Sequence, residues 1–263
     1  MAEAAHSFDD SDAYERFMGQ WTRAVGGVFL DWIESPANAD WLDVGCGTGI
    51  FTELVLDKAS PASVSAIDPA PAQIDHARRR PVGQRANFSV ADAQALPFAE
   101  ASFDGVTAAL VVNFVPDPPR ALSEMHRVLR PGGLVAAYVW DFEMDLSPSG
   151  PLRNAMRRVG AHVPDAPGTN ASSLSALNAL FERAAFERIA TRTIDVSVPF
   201  SDFDAFWQAQ TPSYSPIGKA IAAMTATDRT KLVETLRAAL PVAADGTIRY
   251  SARANAIKAR RAQ

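Results

Sequence analysis

A single cysteine, Cys46, serves the whole chain of 263 residues, so an internal disulfide and a cysteine-built zinc cluster are both excluded. Histidine is nearly as scarce. His6, His76, His126 and His162 are scattered without metal-ligand spacing, and no cluster of Asp, Asn and Glu ligands is identifiable, so no metal is expected. Basic charge is also short: Lys and Arg number 25 against 30 Asp and Glu, a formal net charge of −5. Phosphate neutralisation needs a basic face, so no nucleic-acid partner is expected. The runs Arg78-Arg79-Arg80 and Lys258 to Arg261 read as solvated helix ends or tail residues. No apolar run approaches bilayer length, and the opening "MAEAAHSFDDSD" is polar and acidic rather than basic and then apolar. The expectation is a cytoplasmic protein without membrane insertion; nothing in the sequence bears on oligomeric state.

What is present is an ordinary globular composition, 48% hydrophobic and 21% charged, enough for a sizeable core. From about Asp40 to Trp140, short apolar runs alternate with helical patterns, the mark of βαβ units and a parallel sheet. "DWLDVG" is the first strand, Ser63 to Asp68 the second, "ANFSVAD" to Asp92 the third. Phe103 to Val112 is nearly all apolar, as a central strand covered on both faces must be, and Gly133 to Trp140 is the fifth. Between the last two, Leu122, Met125 and Leu129 share a helical face, and Pro131-Gly132-Gly133 is the expected stop. Tyr14 to Ile33 reads as an amphipathic helix. Beyond Trp140 the spacing predicts helices around 152–159 and 174–181, a strand in "ERIATRTIDVSV", mostly helix over Ser201 to Leu240, and a last strand within "GTIRYSARANAIKAR".

The chemistry concentrates in Trp41 to Gly49, "WLDVGCGTG". An apolar strand ends at Asp43 and enters a turn with Gly45, Gly47 and Gly49, after which a helix begins at Ile50. Glycines let a ligand lie against bare backbone, and the helix behind them offers unpaired N–H groups and a positive dipole end. A dinucleotide fingerprint wants its third glycine where Ile50 stands, which disfavours a nicotinamide-dependent oxidoreductase. Two more acids end strands at the same crevice. Asp68 can accept from both hydroxyls of a ribose; Asp92 can accept from an adenine amine, with the N–H of Ala93 reaching a ring nitrogen. No Gly-x-x-x-x-Gly-Lys-Ser/Thr loop is present. The ligand these residues suit is an adenosine compound without a triphosphate.

These residues resemble the class I S-adenosylmethionine-dependent methyltransferases. "LDVGCGTG", "AIDPA", "ADAQALPFAEASFDGV" and "EMHRVLRPGG" follow that family's motifs in order, and are most similar to the methyltransferase type 11 group related to ubiquinone and menaquinone biosynthesis methyltransferases. The resemblance implies an α/β Rossmann-like fold with a seven-stranded, mostly parallel sheet in the order 3-2-1-4-5-7-6, its last strand antiparallel, and helical cap insertions. It implies one methyltransferase domain over 1–263, with a cofactor-binding core at 34–140 and cap or substrate elements at 1–33, 141–173 and 201–240. It also assigns roles. Asp43 and the turn Gly45, Cys46, Gly47, Thr48 and Gly49 would hold the methionine part of the cofactor, with Asp43 placed for its amino group. Asp68 would take the ribose, Pro69 would flank the adenine, and Asp92 with Ala93 would bind its edge. Leu110 and Val111 would line the methionyl chain, and Tyr14 and Met18 would close over it. Where many relatives carry histidines this chain has Asn113 and Phe114, so no substrate is carried over from a subfamily.

The expected reaction is in-line methyl transfer from S-adenosyl-L-methionine to a small, partly apolar acceptor, leaving S-adenosyl-L-homocysteine. The sulfonium already activates the methyl, so no residue is named as catalytic. A cofactor-binding protein without methyl transfer, such as a regulatory or assembly partner, is the competing reading. Phe203, Phe206 and Trp207 read as the apolar face of a helix that also suits a substrate pocket wall.

Overall fold

The computed structural model describes residues 11–166, 168–213 and 215–263, with side chains from Met18 onward. Its centre is a seven-stranded sheet: β1 (Asp40–Val44), β2 (Ser63–Asp68), β3 (Asn87–Val90), β4 (Phe103–Ala109), β5 (Leu129–Trp140), β6 (Glu187–Phe200) and β7 (Ile248–Arg260). The order across the sheet is β3-β2-β1-β4-β5-β7-β6, with β7 antiparallel to both neighbours and the other pairings parallel. The helices are α1 (Ser11–Ile33), α2 (Ile50–Lys58), α3 (Pro71–Arg79), α4 (Pro118–Val128), α5 (Gly150–Arg158), α6 (Leu174–Arg183), α7 (Phe203–Gln210), α8 (Pro216–Ala222) and α9 (Ala226–Ala239).

Helix faces follow from apolar spacing. Trp21, Val25, Phe29 and Ile33 recur every four residues along α1 and are all buried in one core layer with Trp41, Phe51 and Tyr138. On the other side of the sheet, Leu122, Met125 and Val128 of α4 join Leu177, Leu180 and Phe181 of α6 over β1, β4 and β5. Many of the helices begin on the side-chain caps that short polar residues favour: Asp117, Ser173, Asp202, Ser215 and Thr225 each accept from the N–H three residues on. Helix α2 starts differently, on Gly49 in a left-handed conformation with no side-chain cap.

Several boundaries differ from the sequence expectation. Strand β4 stops at Ala109 rather than running to Val112, because Leu110 takes a positive φ of 63° and leaves the pleat. Its N–H still donates to the Tyr138 carbonyl at 2.8 Å, which pins it beside β5. Strand β3 ends at Val90, two residues short of Asp92. Strand β5 begins at Leu129, not Gly133: helix α4 ends at Val128, and the Pro-Gly-Gly segment lies inside the strand. It is held there by pairing of Leu129 with Phe103 and by the Arg261 N–H donating to the Gly133 carbonyl. The region 201–240 is three helices, α7 to α9, with breaks at Pro212 and Thr225.

The basic runs are corrected too. Lys258 to Arg260 belong to β7 rather than a tail. Lys258 donates to the Trp32 carbonyl, and Arg261 donates to the carbonyls of Arg127 and Leu129 and pairs with Glu100. Arg80 is not a solvated helix end either; it braces the turn described next.

Candidate cofactor site

Parallel pairing brings the carboxyl ends of β1, β2 and β4 level: Asp43 lies opposite Ala66 and Thr107, and Val44 opposite Ile67. The chain leaving β1 turns at once, with the N–H groups of Gly45 and Cys46 both donating to the Ile67 carbonyl, at 2.7 and 2.9 Å. Gly45, Gly47 and Gly49 all have positive φ, at 72°, 52° and 81°. They serve different ends. A Cβ on Gly45 would run into the Val111 side chain, so that glycine lets the turn pack against the segment after β4. A Cβ on Gly47 would meet nothing within 4 Å, so Gly47 presents bare backbone to open space.

Asp68 closes this turn from β2. One carboxylate oxygen accepts from the Gly47 N–H at 3.0 Å and the other from the Ala70 N–H at 2.9 Å, which leaves each with acceptor capacity for a hydroxyl. Burial raises its pKa above the usual carboxylate range against these two bonds. Asp43 is fully buried. One of its oxygens accepts from the Thr52 hydroxyl of α2 at 2.6 Å; the other has no partner among the described residues. Burial pushes the carboxyl up to about 7, against the Thr52 bond and with a further push from the Asp68 charge. A buried carboxyl oxygen without a partner is costly, and an ammonium or hydroxyl donor would satisfy it.

Cys46 is buried, its thiol pushed well up by burial and then by Asp43 and Asp68, so it fills space rather than acting as a nucleophile. Thr48 is buried, and its carbonyl accepts from Arg80 at 2.7 Å. Arg80 also pairs with Glu53 of α2 at 3.0 Å, tying turn and helix together. Neither Arg80 nor Thr52 is legible in the sequence as a site residue, since each acts through a partner distant along the chain or a turn away. Pro69 is exposed beside Asp68. Asp92 is exposed as well, and Gln94 donates to it through both backbone N–H and side-chain amide. Ala93 and Leu110 are buried, and Val111 is half-buried. Met18 is buried in the layer that holds Leu110, whereas the side chain of Tyr14 lies outside the described residues. Asn113 is buried after β4, and the segment around Gly168 folds back so closely that a Cβ there would strike the Asn113 carbonyl. Phe203 and Phe206 are buried, Phe206 against both Phe200 and Phe203, while Trp207 is half-buried and stacked on Phe203. His162 is exposed, and no group of three or more His, Cys, Asp or Glu among the described residues is arranged to hold a metal ion. No helix among them is long and apolar enough to cross a membrane.

Residues 42–137 match a family described as a methyltransferase domain. The chain is 33% identical over 134 residues to a malonyl-[acyl-carrier protein] O-methyltransferase of Serratia marcescens, covering 51% of this chain and 48% of that one. It is 38% identical over 110 residues to a ubiquinone/menaquinone biosynthesis C-methyltransferase of Dinoroseobacter shibae, covering 40% of this chain and 44% of that one. The likeness thus spans less than half of each curated relative. The whole fold is similar to that of phosphoethanolamine N-methyltransferase 2 of Haemonchus contortus, solved in complex with S-adenosyl-L-methionine, with a TM-score of 0.60 at 17% identity, covering 100% of this chain and 61% of that one.

Proposed function

We propose, from the match of residues 42–137 to a methyltransferase domain, that this chain is a class I S-adenosylmethionine-dependent methyltransferase, which binds S-adenosyl-L-methionine and transfers its methyl group to a small, partly apolar acceptor. The observation that carries the reading is the unpaired, buried oxygen of Asp43 on the strand that enters the turn, with the bare backbone of Gly47 in that turn and Asp68 closing it. The donor set fits the cofactor: Asp43 for the amino group, Asp68 for the ribose hydroxyls, Asp92 and Ala93 for the adenine edge, Pro69 on its face. Gly45, Cys46, Thr48 and Gly49 shape the turn around the methionine part, and Leu110, Val111, Met18 and Tyr14 enclose its chain. When bound, S-adenosylmethionine would supply an electrophilic methyl on a sulfonium, open to in-line attack by an acceptor nucleophile with the thioether S-adenosylhomocysteine as leaving group.

What the chain itself contributes is orientation and exclusion of water. Arg80 and Asp68 brace the turn, and the apolar layer around Leu110 and Met18 would keep water from the reacting end. Holding two reactants in line about 3 Å apart supplies on the order of 7–11 kcal/mol of barrier reduction without a covalent intermediate. Calorimetry with S-adenosylmethionine, S-adenosylhomocysteine and NAD tests the binding, with both sulfur nucleotides expected to bind and NAD not. A labelled-methyl screen against a metabolite extract, read by mass, then tests transfer. Failure to bind either sulfur nucleotide overturns the proposal.

A further inference from the structure

Gln94 stands two residues beyond Asp92 and grips it from two directions. Its backbone N–H donates to one Asp92 oxygen at 2.8 Å, and its side-chain NH2 donates to both oxygens, at 3.1 and 3.0 Å. The amide can face only one way. Its own oxygen accepts from the Asp117 N–H at 3.1 Å, so a flipped amide would set donor against donor there and oxygen against carboxylate at Asp92. Asp117 in turn caps α4 by accepting from the Arg120 N–H, and the Arg120 side chain donates to the Gln94 carbonyl at 2.9 Å. Gln94 thus joins the loops that follow β3 and β4, strands that β2 and β1 separate in the sheet.

A count of lone pairs shows what this grip does. Each carboxylate oxygen accepts about two hydrogen bonds. The Asp92 oxygen that takes both Gln94 donors is filled, whereas the other takes one and keeps one position open. Asp92 is exposed and lies two residues past the end of β3, so its side chain is steadied by Gln94 rather than by the strand. An acid free to turn can avoid a carbonyl by swinging into solvent. A held one cannot: it gives an amine a hydrogen bond and a carbonyl oxygen only repulsion. We propose that Gln94 is a positioning residue that sets base specificity: by holding Asp92 with a single open acceptor, it admits an aminopurine and rejects an oxopurine. This rests on the reading of Asp92 and Ala93 as the partners of the adenine edge.

The backbone around Gln94 has supports of its own. Glu124 of α4 accepts from the Leu96 N–H at 2.8 Å, and Arg127 donates to the carbonyls of Leu96 and Phe98, at 3.0 and 2.8 Å. These bonds, and that of Arg120 to the Gln94 carbonyl, do not involve the side-chain amide. Changing the amide therefore leaves in place the loop that carries Ala93.

Calorimetry on the full chain tests this by comparing S-adenosylhomocysteine with S-inosylhomocysteine, in which a ring carbonyl replaces the adenine amine. The wild type should prefer the adenosine compound by at least about tenfold. Gln94→Met should weaken S-adenosylhomocysteine about threefold to tenfold and cut the preference by about threefold or more; a remainder persists through the Ala93 N–H. Gln94→Glu keeps an acceptor for the Asp117 N–H but sets a carboxylate against Asp92, and should cut the preference as well. Asp92→Ala should lower the preference at least as far, and adding Gln94→Met to it should lower it no further. A purely structural loss would weaken both ligands alike, so an unchanged preference in either Gln94 variant overturns the proposal. Tighter binding of S-adenosylhomocysteine by Gln94→Met overturns it too, since the amide would then be occupying the place of the base. In both cases a weakened Asp92→Ala leaves the cofactor reading standing. If Asp92→Ala binds S-adenosylhomocysteine as tightly as the wild type, or the wild type does not bind it, the cofactor reading itself fails and takes this inference with it.

Discussion

Asp43 makes the stability of this protein depend on pH in a direction opposite to that of most carboxylates. Its carboxyl is raised from 3.8 to about 7 by complete burial, which the single Thr52 bond only partly offsets. Between those two values the folded chain keeps a proton that the unfolded chain has lost. The stabilisation is fully present below the unfolded pKa and is lost as pH rises through the folded one. At about 1.36 kcal/mol per pH unit, the loss from pH 5 to pH 8 is about 3 kcal/mol. Urea denaturation of the wild type and of Asp43→Asn across that range reads this group together with its coupling to Asp68, the other carboxylates being common to both proteins. The wild type should lose about 3 kcal/mol relative to the variant as pH rises from 5 to 8. Saturating S-adenosylhomocysteine should reverse the sign of the effect, since an ammonium beside Asp43 favours the carboxylate, so that binding releases a proton and strengthens with pH up to about 7. Parallel stability curves for the two proteins would refute the assignment of a protonated, buried Asp43.

Three other perturbations test the turn. Asp68→Ala strands the Gly47 N–H and the ribose hydroxyls together, and should weaken S-adenosylhomocysteine binding by about 1–3 kcal/mol by calorimetry; an unchanged affinity means the ribose lies elsewhere. Gly45→Ala sets a Cβ into Val111 at a positive φ and should destabilise by about 1–3 kcal/mol, part of which Val111→Ala should restore; thermal unfolding of single and double variants reads the coupling. Arg80→Ala removes the tie between the Thr48 carbonyl and Glu53, so cofactor affinity should fall by about 1 kcal/mol or more, whereas a solvated arginine would leave it unchanged.

The legible part of the site was the part built from local chemistry. A strand ending at an acid, three glycines at alternate positions and a following helix are consecutive in the chain, so "WLDVGCGTG" could be read as a cofactor turn without coordinates. Asp68 and Asp92 are expected at the crevice because strand ends recur at regular spacing in βαβ units; β2 does end at Asp68, while β3 ends at Val90. The errors were of another kind. Arg80 and Arg261 look like surface charge in the sequence, and only the folded chain brings Thr48, Glu53 and Leu129 within their reach. Leu110 leaves its strand because of a backbone conformation that no apolar periodicity encodes.

Taken alone, the sequence determined the order of strands and helices, the glycine turn and the kind of nucleotide it suits, because turn chemistry and apolar period act over a few neighbouring residues. Tertiary structure decided which polar groups are buried without partners. The open oxygen of Asp43, its raised pKa, and the unpaired donors of Trp21 and Trp140 all depend on what packs around them from distant parts of the chain. Desolvation is set by the whole enclosure, and the enclosure exists only once the sheet and its helices have closed.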